Sequence, residues 1–150
     1  MDKLFTVNEA NTLLPVLESL LKQAMEGKGT METIDKELEV LKHKIFLSGG
    51  MRVDIIGVSR RKDEREKAIQ RIKDAVAEIH STGVQVKDLD LGLLDFPHMV
   101  DGETVLLCWK LGEELRVQHW HGLEEGFAGR KPISSLVKKR DKTENPEKPN

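Results

Sequence analysis

"LLDFPHMVDGETVLLCWKL", residues 93–111, decides how this chain folds. Two apolar-rich runs flank Asp101-Gly102, and Asp-Gly between such runs is among the strongest short signals for a β-hairpin. A two-residue loop at Asp101-Gly102 sets the register: Val100 faces Glu103, His98 faces Val105, Phe96 faces Leu107, Asp95 faces Cys108 and Leu94 faces Trp109. Paired residues share a face, so Leu94, Phe96, Val105, Leu107 and Trp109 make one apolar surface fit to receive helices. Asp95, Leu106, Cys108 and Lys110 point the other way. An aspartate facing a cysteine across a ladder is not a core arrangement.

Outward from the hairpin, Leu111-Gly112-Glu113-Glu114 supplies the next turn and "LRVQHWH", 115–121, the next strand. Gly112 as first residue of a type II′ loop pairs Leu111 with Glu114, Cys108 with Val117, Leu106 with His119 and Thr104 with His121. Both histidines then share the face of Asp95 and Cys108. An odd-length loop sends them toward the helices beside His98, and lets Leu115 and Val117 join Leu107 and Trp109. Turn chemistry favours the even loop. On the other side "GVQVKDLDLG", 83–92, alternates cleanly, so the meander has three or four antiparallel strands.

The first half of the chain carries helical periods. Thr6 followed by Glu9 is a capping box, and Ala10, Leu13, Leu14, Leu17, Leu21 and Met25 form the stripe behind it. Pro15 interrupts that stripe without shifting its phase, which predicts a kink rather than a stop. "EGKG", 26–29, reads as the end of this helix. A second helix reads over 30–45, with Ile34, Leu38, Leu41 and Ile45 as its seam. "LSGGMRVDIIGVS", 47–59, reads as a loop. A third helix reads over 59–81, with Ile69, Ile72, Val76 and Ile79 as its seam and Gly83 as its cap. The result is an α+β domain over residues 1–137, a helical hairpin or three-helix half packed on the meander. Its two seams suit either each other or a second copy in a homodimer. Residues 138–150 hold no aliphatic or aromatic side chain and read as a disordered, dispensable tail.

Composition narrows the function classes. With 24 Lys and Arg against 26 Asp and Glu, the net charge is −2, so no global field recruits nucleic acid or a membrane. "SRRKDEREK", 59–67, interleaves acids with bases and reads as a solvated helix face. The longest apolar run, "VLLCW", is far too short to span a bilayer, and the start "MDKLFTVNEAN" carries no secretion signal. The single cysteine, Cys108, excludes an intrachain disulfide and fits a cytoplasmic protein. Mid-strand, it is a poor nucleophile.

"HWHGLEEGFAGRKP", 119–132, holds the densest chemistry. Three readings stand. His119 and His121 share a face, Glu125 can bend back to them, and Asp95 or Cys108 can add a further ligand, so a divalent zinc, manganese or iron ion has a candidate site. The spacing His-x-His-x-x-x-Glu matches the first metal motif of cupins, but a cupin barrel needs about eight strands and this chain cannot supply them. Alternatively, Gly126, Gly129, Arg130 and Lys131 can hold an anion through turn amides and a guanidinium. Third, Phe127 and Trp120 anchor the last strand onto the helices while Arg130 pairs with a carboxylate. The sequence names no reaction. A non-enzymatic binding or regulatory module is the leading reading, and a metal-binding protein or metal-dependent enzyme the other.

Together, "FTVNEANTLLPVLESLL", "VKDLDLGLLDFP", "VLLCWKLGE" and "HWHGLEEGFAGRKP" resemble the bacterial family catalogued as domain of unknown function 2203, from Phe5 to about Pro132. The resemblance implies a small cytosolic protein with a helical hairpin and a short sheet, and brings no activity with it. Asp95, Trp120, His121, Gly126, Phe127, Gly129 and Arg130 fall inside its motifs, with roles unassigned.

Overall fold

The computed structural model describes residues 3–50 and 54–136. Two helices, α1 (Val7–Leu47) and α2 (Ile55–Ser81), precede strands β1 (Gln85–Asp88), β2 (Leu93–Val100), β3 (Glu103–Lys110), β4 (His119–Gly122) and β5 (Lys131–Pro132). The strands form one antiparallel sheet in sequence order. The α+β class and the meander stand as read; among the described residues the first half forms two helices instead of three, and the sheet has five strands instead of three or four. Residues 138–150 lie outside the described residues, as does the expectation about them.

α1 begins where the capping box put it. Thr6 Oγ1 accepts the Glu9 N–H at 3.1 Å while the Glu9 carboxylate accepts the Thr6 N–H at 3.0 Å, satisfying two of the helix's orphan donors. Thr6→Ala should therefore cost about 1 kcal/mol in a urea unfolding experiment. The helix continues past Pro15, as the phase of its stripe required.

It also continues through "EGKG", which corrects the predicted stop. Gly27 is buried at the crossing of α1 over α2, where an added Cβ would meet the Ala68 carbonyl oxygen at 2.9 Å and Ile72 Cγ1 at 3.0 Å. The glycine lets the helices approach, and their packing offsets the roughly 1 kcal/mol of helix propensity that each glycine loses. The glycine-rich stretch 47–59 is likewise only partly loop. Asp54 caps α2, its carboxylate accepting the Gly57 N–H at 3.0 Å, so the helix opens at Ile55 rather than near Ser59. The two predicted seams thus lie on one antiparallel hairpin, with Ile34 and Ile79 fully buried in it.

The core sits where the sheet's inner face meets the sheet end of this hairpin. Leu94, Phe96, Leu107 and Trp109 are fully buried against Leu14, Leu17, Leu21 and Ile79. Phe5 closes one edge, its ring meeting Phe96 edge-on at 5.6 Å. The Phe5 N–H donates to the Pro97 carbonyl at 2.7 Å, beyond the point where β1 stops pairing with β2. His98, also on the inner face, donates from Nδ1 to the Phe5 carbonyl at 2.6 Å.

A candidate metal centre on the outer face of the sheet

Every predicted pair of the first hairpin is present: Val100 with Glu103, His98 with Val105, Phe96 with Leu107, Asp95 with Cys108 and Leu94 with Trp109. The second hairpin has the expected parity but a register displaced by two residues. Cys108 pairs with His119 and Leu106 with His121, where Leu106–His119 and Thr104–His121 were expected. The chain leaves the ladder between Gly112 and Gln118 because its polar groups find other partners. Trp109 Nε1 donates to the Glu114 carbonyl at 2.8 Å, and the Val117 N–H donates to the Asn11 side chain at 2.6 Å. Parity alone decides facing, so His119 and His121 lie on the face of Asp95 and Cys108.

That face is covered rather than open. The segment from Gly122 to Arg130, with a 3-10 turn at Phe127–Gly129, crosses it. The Phe127 ring carries the Arg130 guanidinium at 4.8 Å and the Lys110 ammonium at 5.4 Å. Phe127 therefore packs on the outer face and stays partly exposed, which corrects its assignment as an anchor to the helices. Trp120 holds that role alone, in the inner core. β5, too short to show a sequence period, returns the segment to β4 through His119–Pro132 and Trp120–Lys131.

Beneath this cover, Asp95, Cys108 and His121 are each at most 1% exposed, and one ligand atom from each lies within 4.8 Å of the others. His121 Nδ1 sits 2.8 Å from the Gly122 carbonyl oxygen, which can only accept, so Nδ1 carries a proton. His121 Nε2 then faces Asp95 Oδ1 at 3.1 Å. A bare nitrogen lone pair against a carboxylate is repulsive, so a proton or a cation must lie between them. Asp95 Oδ2 is buried without a hydrogen-bond partner. Burial, reinforced by the neighbouring Asp95 carboxylate, pushes the Cys108 thiol up to about 12, which removes it as a nucleophile at neutral pH.

The other predicted ligands stand apart from this trio. The His119 ring faces Glu113, with Nδ1 3.7 Å from its carboxylate. Glu125 accepts from the Gly122 N–H at 2.8 Å and from the Lys131 ammonium at 2.6 Å. Those two bonds, that of Lys131 first, hold its carboxyl below the ordinary range. The predicted anion cradle carries its own carboxylates: Lys131 bonds Glu125, and Arg130 bonds Glu113 at 2.7 Å and the Cys108 carbonyl at 3.3 Å. Gly126 and Gly129 shape the 3-10 turn, the Gly129 N–H donating to the Gly126 carbonyl at 2.9 Å. Burial alone would raise the Glu113 carboxyl, but Arg130 and the Lys110 N–H outweigh it and leave it lowered. Sequence reasoning passed over Glu113, which looked like an ordinary turn residue.

Residues 3–133 match the model of the uncharacterized conserved protein family DUF2203. The chain belongs to that family. The match spans both helices and all the strands, and so includes Asp95, Cys108 and His121. No curated protein and no solved structure matches the chain.

Proposed function

We propose that this DUF2203 protein is a small metal-binding module that holds a divalent ion, zinc by the chemistry of its donors, between Asp95, Cys108 and His121. One observation carries the reading: a buried histidine spends Nδ1 on a backbone carbonyl and turns Nε2 toward a buried carboxylate. Metal-ligating histidines are commonly oriented in this way, with the second nitrogen donating to a carbonyl. The unpartnered Asp95 Oδ2 supplies a further acceptor. A thiolate and an imidazole suit zinc or iron better than manganese, which prefers oxygen ligands. Zinc with one thiolate and one carboxylate is also electrically neutral, as a buried site requires. Three protein ligands leave a fourth position for water or a partner group.

Dialysis of full-length, untagged protein against zinc after chelator treatment should load one ion per chain. Because the Cys108 thiol is protonated below about 12, zinc must displace that proton. It must also displace the proton between His121 Nε2 and Asp95, so affinity should rise by at least about tenfold per pH unit across the neutral range. Cys108→Ala should lower it by at least about a hundredfold while leaving the metal-free fold intact, since it removes only a small buried group. Cobalt(II) in place of zinc should show a thiolate charge-transfer band that Cys108→Ala abolishes. No zinc uptake by the wild type would end the metal reading and leave Asp95–His121 as a buried ion pair.

A further inference from the structure

The far end of the helical hairpin carries a feature that the metal centre does not explain. Ile34 is the last buried residue of α1, and Leu47 lies 13 residues, roughly 20 Å, beyond it. At that end Phe46 is 80% exposed, Leu47 69%, Ile55 77% and Ile56 73%. Four large apolar side chains so exposed, on the last turn of one helix and the first turn of the next, are not scattered surface residues.

Charge is distributed with them. Lys42 and Lys44 lie within the last turns of α1, and Arg60, Arg61 and Lys62 within the first turns of α2. The one carboxylate among the described residues of 42–62 is Asp54, and it is engaged in capping α2. Arg61 is bonded to Glu37 and Glu64, while Lys42, Lys44, Arg60 and Lys62 have no ion-pair partner among the described residues. Acidic residues resume at Glu39 and Asp63, each eight residues or roughly 12 Å along its helix from the apolar residues Leu47 and Ile55. A chain of net charge −2 therefore keeps a cationic, apolar end. Whole-chain charge, which argued against any membrane, averages this end away.

We propose that the hairpin tip docks on an anionic lipid surface. Phe46, Leu47, Ile55 and Ile56 enter the headgroup–acyl boundary, and the lysines and arginines above them meet lipid phosphates. A second copy meeting tip to tip would bring the two cationic collars together, so like charge opposes that occupant. Docking needs no membrane-spanning helix, and none of the described helices is long and apolar enough to be one.

Flotation of the full-length protein with vesicles tests this. Vesicles of phosphatidylglycerol and phosphatidylcholine in equal parts should bind at least about tenfold more tightly than phosphatidylcholine alone, with the difference falling as salt rises. Ile55→Ser/Ile56→Ser and Lys42→Gln/Lys44→Gln should each weaken binding several-fold with an unchanged circular dichroism spectrum, since these side chains are not core. Val16→Ser, an exposed apolar position near the sheet end of α1, should change nothing. No binding to anionic vesicles, equal binding to neutral ones, or an equal loss with Val16→Ser overturns the proposal. So does lipid-free self-association in sedimentation that Ile55→Ser/Ile56→Ser abolishes, which would make the tip an interface between copies.

Discussion

In metal-free protein, His121→Ala should cost about 3–5 kcal/mol of unfolding free energy, far more than a surface change. Asp95 and His121 are almost wholly buried and 3.1 Å apart. Removing the imidazole leaves a carboxylate out of water with neither Oδ1 nor Oδ2 partnered by it, and opens a ring-sized void. The sequence reading, which puts the histidines on a face that is not a core arrangement, implies that the fold tolerates this substitution. The covering segment at 122–130 overturns that expectation. Urea unfolding in the presence of chelator measures the loss. Asp95→Ala/His121→Ala should be less unstable than the sum of its single variants, since the double change leaves no orphan charge. A loss under about 1 kcal/mol for His121→Ala would show that the two side chains are not coupled. Adding zinc to the wild type should raise its stability further by mass action, an increment that both single variants lose.

Gly27→Ala should destabilise by about 1–3 kcal/mol, against the usual gain from replacing a helical glycine with alanine. Its new Cβ would press on the Ala68 carbonyl oxygen at 2.9 Å, a backbone atom that moves only if α2 moves. Gly29, two residues on in the same helix, has nothing within 4 Å of an added Cβ and no positive φ. Gly29→Ala should therefore stabilise by about 0.5–1 kcal/mol. Thermal unfolding of the two variants side by side separates helix propensity from helix packing. Two shifts of the same sign would refute the close approach at Gly27.

The β2–β3 hairpin was legible pair by pair because Asp101-Gly102 ties loop length to register, and register to the facing of every side chain. The same reasoning placed Asp95, Cys108 and both histidines on one face, since a two-residue error in the second hairpin preserves parity. Local rules of that kind need only a period and a turn. They also located the start of α1, where the cap is built from residues three apart. Two features needed the tertiary structure. Gly27 reads locally as a helix stop, and only the approach of Ala68, 41 residues away, turns it into a crossing point. His121 and Glu125 read locally as a ligand pair, and only the path of the 122–130 segment commits Glu125 to Lys131 and shuts His121 in with Asp95 and Cys108. A chain determines its periods and turns by neighbours in sequence. Which polar atoms end up buried together is set by packing between distant segments, and that is where this protein's candidate chemistry lies.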